Sequence, residues 1–270
     1  MSAQSEGPIQ ASIIVSLYNK APYIKQTLQS ALSMQGAATE IVVVEDGSTD
    51  GSDLIARELA AQHGEIRLLE NPSKGAVSAM NYGIEQARAP YVFVLDGDDI
   101  CLPWRVQVCV ALLDSFPQLN MIAARGVRTP PGGVAAAEQR CAKLMADCGG
   151  IKASRLTAGT YCRDNRLAHS SAVFRKAAVD QVGGYSASNM CYDYELYIRL
   201  LATGEQWMLN IPLSIAVDDR TSIFKSEKYD IYMKDYRACQ NLARKSGPVS
   251  AFDYASGTLR YLKRNTMRPA

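Results

Sequence analysis

The segment Val92-Phe93-Val94-Leu95-Asp96-Gly97-Asp98-Asp99 constrains this chain most, because an apolar run that belongs inside a sheet leads straight into three carboxylates. Carboxylates packed this closely repel one another and raise each other's pKa, so keeping them ionised near neutral pH calls for a cation. Oxygen-only ligands on a short Gly-containing turn suit Mg2+ or Mn2+, which retain waters and share their remaining positions with phosphate oxygens. The plainer alternative is a turn whose aspartates cap the next helix, and Asp99, ahead of Pro103-Trp104, is placed for that.

Around this segment, from Ser12 to about Phe116, short β-rich runs alternate with helical stretches, the pattern of a parallel sheet with crossover helices. Strands are expected at Ser12 to Leu17, Ile41 to Glu45, Ile66 to Leu69 and Tyr91 to Leu95. Helices are expected from about Pro22 to Met34, Ser52 to Gln62, Ala76 to Ala87 and Pro103 to Phe116, with Pro22 and Pro103 in first-turn positions where no backbone N–H is missed. Ligands of open α/β sheets sit off the carboxyl ends of the strands. Those ends carry Tyr18-Asn19, Asp46-Gly47-Ser48-Thr49-Asp50, Glu70-Asn71 and Asp96 to Asp99, so polar groups converge on one crevice. Asp50 and Ser52 read best as caps of the following helix, whereas Asp46 is placed to accept hydrogen bonds from a base or a ribose.

A fifth strand is expected over Asn120 to Ala124. The segment from Arg125 to Thr160, with an alanine-rich helix around Val134 to Asp147, breaks the alternation and reads as an insertion beside the sheet. Beyond it come a short strand at Ser171 to Phe174, the Gly183-Gly184-Tyr185 turn, a helix from about Tyr192 to Thr203, and strand-like pieces near Trp207 to Asn210 and Leu213 to Val217. The last part, Glu227 to Asn265, reads as two helices divided by Ser246-Gly247-Pro248.

A chain of 270 residues with 21% charged residues and a formal net charge of +2 lacks the basic excess of a nucleic-acid binder, so no nucleic-acid partner is expected. Seven scattered cysteines, none paired at zinc-ligand spacing, point to a reducing cytoplasm. The polar start Met1-Ser2-Ala3-Gln4-Ser5-Glu6 and the lack of a long apolar run argue against export and membrane spanning. From Leu242 onward Arg244, Lys245, Arg260, Lys263, Arg264 and Arg268 face the single acid Asp253, interleaved with Phe252, Tyr254, Leu259, Tyr261 and Leu262. A solvated helix docked by its aromatics is expected there, with peripheral contact to the inner face of a membrane as the alternative.

No G-x-G-x-x-G follows the first strand and no G-x-x-x-x-G-K-[ST] occurs, which leaves a dinucleotide-dependent dehydrogenase and a P-loop kinase unsupported. The order Ser12 to Asn19, then Ile41-Val42-Val43-Val44-Glu45-Asp46-Gly47-Ser48-Thr49-Asp50-Gly51-Ser52, then Asn81-Tyr82-Gly83-Ile84, then Leu95-Asp96-Gly97-Asp98-Asp99 resembles the nucleotide-binding half of the family-2 glycosyltransferases. The resemblance is dense over about residues 11 to 116 and thinner onward to about 203. It implies a GT-A fold: an α/β domain with a central, mostly parallel sheet flanked by helices, followed here by C-terminal helices. It further implies a nucleotide-diphosphate sugar donor, Mg2+ or Mn2+ at the Asp-x-Asp element, and inversion at the anomeric carbon. Residues 1–270 would then form one domain, with 11–116 as the nucleotide-binding half, 117–226 as the acceptor and catalytic half, and 227–270 as a helical extension.

Carried over by position, Ser16, Tyr18 and Asp46 would face the nucleoside, and Asn19, Lys74, Asn81, Asp96 and Gly97 complete the implied nucleotide-sugar contacts. Asp98 would ligate the metal directly, Asp96 would contact ribose or a metal-bound water, and Asp99 would support them. Lys74-Gly75 also reads as a plain turn. Met80 stands where the family commonly has a basic residue. Gly183-Gly184-Tyr185 followed by Tyr192-Asp193-Tyr194-Glu195 resembles the family's Gly-Gly turn and acidic helix start, where a Glu-Asp pair is usual; Asp193 is then the candidate general base, with helix capping as the other explanation. His169 and Tyr192 would lie near the acceptor, and Asp218-Asp219-Arg220 would belong to a closing loop. The function implied is a metal-dependent inverting transfer of a sugar to a saccharide or lipid-linked hydroxyl. A catalytically silent nucleotide-sugar binding module is the alternative; a nucleotidyltransferase lacks the expected basic Gly-rich first loop.

Overall fold

The computed structural model describes residues 8–187, 190–218 and 229–266. Its first half alternates β1 (Ala11–Leu17), α1 (Ile24–Leu32), β2 (Thr39–Glu45), α2 (Ser52–Gln62), β3 (Ile66–Glu70), α3 (Ala76–Gln86) and β4 (Tyr91–Asp96). Then follow β5 (Ile100–Cys101), α4 (Arg105–Ser115), β6 (Leu119–Ala124), β7 (Val127–Thr129), α5 (Val134–Ala146), β8 (Ala153–Arg155) and α6 (Ala158–Arg163). A 3-10 turn at His169–Ser171 leads to β9 (Val173–Arg175), α7 (Lys176–Gln181), α8 (Tyr192–Leu200), β10 (Glu205–Leu209), β11 (Ser214–Val217), α9 (Tyr229–Lys245) and α10 (Ala251–Thr266). Asp219, Arg220, Arg268 and the N-terminal Met1 to Glu6, all considered above, lie outside the described residues.

The main sheet has the order β3-β2-β1-β4-β9-β6-β10-β8. Parallel strands covered on both faces must be apolar on both, and β1 and β2 obey this apart from the buried, hydrogen-bonded pair Ser12–Glu40 near their starts. Ile14, Val42, Val44, Val92 and Val94 face the layer of Met80, Ile84, Tyr194 and Tyr197, while Ile13, Val15, Val43, Phe93 and Leu95 face the layer of Ile24, Leu28 and Val106. Each such fully buried aliphatic chain contributes about 1.5–3 kcal/mol. The in-register pairs Ser16↔Asp96 and Leu17↔Glu45 bring the ends of β1, β2 and β4 level, so their loops open on the same edge.

Strand β9 enters antiparallel between β4 and β6. Its ladder with β4 ends at Phe93↔Val173, and the fully buried Arg105 fills the divergence by donating to the carbonyls of Val94 (2.9 Å) and Ala172 (3.0 Å). A second sheet, β5-β11-β7, stands beyond the end of β4 and carries α5 on its own small core of Val134, Ala137, Cys141, Ile215 and Val217.

Several boundaries differ from the sequence expectation for identifiable reasons. Pro22 and Pro103 precede their helices by two residues, in lead-in turns closed by Ile24 N–H on Lys20 and Arg105 N–H on Leu102; the proline nitrogens need no partner there. Ser171 is not in the strand: its hydroxyl bridges to Ala124, which pulls it into the 3-10 turn and starts β9 at Val173. Helix α8 stops at Leu200 because the Thr203 hydroxyl takes the Leu200 carbonyl. The segment expected to lie wholly beside the sheet supplies β8, its edge strand, antiparallel to β10. No helix among the described residues is long and apolar enough to cross a membrane.

Candidate active site

The loops after β1 and β2 are stitched together before any ligand is considered. Asn19, the one non-glycine with positive φ (51°) among the described residues, accepts from Thr49 N–H at 2.8 Å, and its own N–H meets Ser48 Oγ at 3.1 Å. Asparagine tolerates that left-handed conformation better than most side chains. Asp50 accepts from Ala21 N–H and from Ser52 N–H and Oγ, so it steadies the start of α2 from one position further out than expected; the cap itself is Gly51, in the left-handed conformation and without a side-chain bond, rather than Asp50 or Ser52. Asp46 accepts from Asn71 Nδ2 (2.6 Å) and Gly75 N–H (2.9 Å), tying the β2 end to the loop before α3. Lys74 lies over Gly47 on the same rim. Tyr18, beside these, is 55% exposed with its ring on the open edge. Met80 faces inward and is buried, so this helix position offers no cation.

The Asp-x-Asp turn sits directly on β1. A side chain at Gly97 would come within 2.9 Å of the Ser16 carbonyl, so only glycine fits between the two acids. Asp96 is held by His169 Nδ1 (2.9 Å) and by the Ser170 hydroxyl (3.0 Å). Burial pushes its carboxyl up, but His169, Ser170 and Lys20 outweigh that and hold it below the ordinary range. Asp98 pairs with the Lys20 ammonium, yet burial dominates and its pKa is raised. Asp99 is buried, with burial first and then Asp96 and Asp98 lifting it to about 8. The hydrogen bonds agree. Ser170 Oγ lies within hydrogen-bonding distance of Asp96 and of Asp99 (2.5 Å) but carries one proton; a protonated Asp99 donates to Ser170, which donates to Asp96. The other Asp99 oxygen accepts from Val217 N–H at 3.1 Å, anchoring β11.

The second half supplies Asp193 in the first turn of α8. It is not the cap, because Cys191 holds that position without a side-chain bond; Asp193 instead accepts from Asn165 Nδ2 at 3.3 Å. Burial, with Asp96 adding to it, raises the Asp193 pKa against the opposing pull of His169, the Tyr194 amide and Asn165. His169 joins the halves. Its Nε2 donates to the Tyr185 hydroxyl at 3.0 Å, and its ring stands edge-on to Tyr185 and Tyr192, both centroids at 5.8 Å. Burial lowers its pKa, but Asp96 overrides this and brings it to about 8, so the ring is largely a cation at neutral pH.

Asn81 meets Tyr185 rather than the crevice, through Nδ2 to the carbonyl (2.9 Å) and from the N–H to Oδ1 (2.8 Å). Glu195 pairs with Arg199, whose guanidinium donates to the carbonyls of Val182 and Gly184; this pair shapes the Gly-Gly turn. Sequence reasoning missed Lys20, Ser170, Asn165 and Tyr185 as members of the cluster. Lys20 had one available signal: it is the first cation after a strand that ends beside acids.

Among the described residues no three His, Cys, Asp or Glu side chains form a ready metal cluster. Asp98 and Asp96 nonetheless form an oxygen-only pair, and the raised Asp98 pKa beside Lys20 means added positive charge would be favourable. Sites that hold Mg2+ together with substrate phosphates need only one or two protein carboxylates, so the pair fits such an ion.

The sheet and its helices match solved structures over nearly the whole chain. TarS of S. aureus in complex with UDP-GlcNAc gives a TM-score of 0.66 at 15% identity, covering 95% of this chain and 72% of that one. A mannosyltransferase of Pyrobaculum calidifontis, in complex with GDP-Man and Mn2+, gives 0.60 at 14% identity, covering 98% and 77%. These likenesses establish the GT-A fold. In sequence, the chain is 22% identical to EpsE of Bacillus subtilis, named as a glycosyltransferase, over 94% of this chain and 89% of that protein. It is 28% identical to the amylovoran biosynthesis glycosyltransferase AmsE of Erwinia amylovora over 74% and 73%. It is also 28% identical to the chondroitin synthase of Escherichia coli over 72% of this chain but only 26% of that longer protein. Residues 12–179, from β1 through the acid turn and His169 into α7, match Glycosyl transferase family 2, so the chain belongs to that family and is a glycosyltransferase.

Proposed function

We propose that this enzyme transfers a sugar from a nucleotide-diphosphate sugar to a saccharide or lipid-linked hydroxyl, inverting the anomeric carbon, with Mg2+ or Mn2+ held by Asp98 and Asp96. One observation carries the proposal: His169 links the strand-end acid Asp96 to the tyrosines beside Asp193, so the anionic turn and the candidate base belong to one cluster. TarS in complex with UDP-GlcNAc and the mannosyltransferase in complex with GDP-Man and Mn2+ support the donor class and the ion. The name of AmsE supports polysaccharide biosynthesis as the setting.

Residues 11–116 then serve the nucleotide, 117–226 the acceptor and base, and the extension from 227 onward contributes the helices Tyr229–Lys245 and Ala251–Thr266. Tyr18 offers its exposed ring for stacking on the base, and Ser16, Asn19, Asp46, Lys74 and Gly97 line the rim that follows. Asn81 acts one step back, by holding Tyr185. The bound ion would neutralise charge developing on the departing diphosphate. Asp193 takes the acceptor hydroxyl proton as that oxygen bonds to the anomeric carbon, and the donor C–O bonding pair leaves with the diphosphate. A raised pKa makes Asp193 a stronger base than a surface aspartate. His169 and Tyr192 shape the acceptor side of the cluster.

A panel of nucleotide-diphosphate sugars with and without Mn2+, read by thermal shift and then by transfer to saccharide acceptors, tests this. The donor at about 100 times its Kd should add about 2.7 kcal/mol of stability only when Mn2+ is present. Stabilisation without the ion, or binding with no transfer to any acceptor, would overturn it.

A further inference from the structure

Arginines from separate elements converge beside the segment that holds Asp193. A cavity of about 280 Å³ is lined by Arg125, Arg155, Arg163, Arg166 and Arg260, against the single carboxylate Asp164. Asp164 is buried and already shared: Arg260 and Arg264 reach it at 3.0 Å and Arg166 at 3.5 Å. Arg163 pairs with Asp253 at 3.0 Å and Arg155 with Glu205 at 3.4 Å, while Arg125 has no ion pair among the described residues. A staple between α6 and α10 would need one such pair. This arrangement leaves excess positive charge around an open volume.

The cavity also has a defined relation to the base candidate. Its wall includes 164, 166 and 167, and Asn165 between them donates to Asp193 while its Oδ1 accepts from Leu167 N–H. Tyr161, also in the wall, accepts at its carbonyl from the Tyr194 hydroxyl, next along α8.

We propose that this cavity binds a phosphate or diphosphate group of the acceptor, so that the acceptor is a phosphate-bearing saccharide rather than a neutral glycan. The inference rests on the assignment of Asp193 to the acceptor side. Guanidiniums suit this ligand: their planar forks match phosphate oxygens, and several can share a group carrying more than one negative charge.

Inorganic pyrophosphate titrated into metal-free full-length enzyme tests the cavity alone, because the acid turn binds phosphate only through an ion. Wild type and Asp98→Asn should bind alike, and Arg125→Ala/Arg166→Ala should bind at least tenfold more weakly. Both arginines are exposed, so the double variant should keep the wild-type Tm and its Mn2+-dependent response to the donor. In transfer assays the double variant should raise KM for the acceptor and leave KM for the donor unchanged. A hexose 1-phosphate and a short-chain prenyl-diphosphate sugar, offered in parallel, distinguish a soluble from a lipid-linked source. No metal-free pyrophosphate binding, binding that the double variant leaves intact, or faster transfer to neutral or carboxylate-bearing saccharides would overturn the proposal. A lost donor response in wild type would instead count against the donor assignment.

Discussion

Asn81 on α3 holds Tyr185, 104 residues later, by both of that residue's backbone groups, at 2.9 and 2.8 Å. The clasp fixes the turn whose tyrosine hydroxyl meets His169, and His169 in turn holds Asp96. An asparagine in the first half thus sets the geometry of a cluster built mainly by the second.

Asn81→Ala should lose both bonds and leave the Tyr185 N–H and carbonyl without partners, costing about 1–3 kcal/mol. Urea denaturation reads this as a lower midpoint at unchanged slope. An unchanged midpoint would show that the clasp is replaceable.

Gly184→Ala should be at least as damaging. The residue has φ +70°, and an added Cβ would lie 2.5 Å from Asn81 Oδ1, so backbone strain and a broken clasp act together. A Tm within a degree of wild type would contradict both.

The sequence made some of this plain and hid the rest for physical reasons. β1, β2 and β4 were legible because strands buried on both faces must be runs of Ile, Val and Leu, and polar residues interrupt them abruptly, acids in the case of β2 and β4. β5, β7 and β8 were not: at two or three residues they have no period, and β8 is a strand only because β10 lies beside it. Asp193 was found by its place in a motif, but the partners that tune it, Asn165 and His169, come from a turn with no periodic signal. Asp99 read as a cap or a support; its raised pKa comes from burial, with Asp96 and Asp98 adding to it, and burial of a turn residue leaves no periodic signal. The tail was legible in part: Tyr254 and Tyr261 do dock, under Arg244 and Arg237, whereas Phe252 and Leu259 point outward at 71% and 67% exposure.

Lys20 is the fixed counter-charge of Asp98. A bound divalent ion must compete with that ammonium, so Lys20→Met should tighten Mn2+ binding in the absence of nucleotide by about tenfold, or about 1.4 kcal/mol. Asp98→Asn should abolish it. Weaker Mn2+ binding in Lys20→Met, followed by calorimetry or paramagnetic titration, would show that the lysine assists the ion.

Stability should fall on the alkaline side. Asp99 is raised from 3.8 to about 8, so its contribution is complete below about pH 4 and is lost as pH rises through 8. His169, raised from 6.5 to about 8, contributes fully below 6.5 and loses it over the same upper range. Both act in one direction, and Tm should drop by several degrees between about pH 6 and 9. Asp99→Asn mimics the protonated acid, donating to Ser170 and accepting from Val217 N–H, so it should reduce the drop. A drop as steep in Asp99→Asn would place the titration elsewhere.

Asp193→Asn tests the base with the least disturbance to the fold. The amide keeps the size of the carboxylate and can still accept from Asn165, so Tm and the donor response with Mn2+ should stay close to wild type. It cannot take a proton at neutral pH. General-base catalysis contributes about 10²–10⁴-fold, and kcat should fall within that range while KM for the donor changes little. In wild type the acid limb of the kcat profile should lie above the ordinary aspartate range, because burial and Asp96 raise the group. The variant's residual rate should lack that limb. A variant retaining both the wild-type rate and the acid limb would move the base to another residue; loss of donor binding would instead make Asp193 a structural support of the nucleotide side.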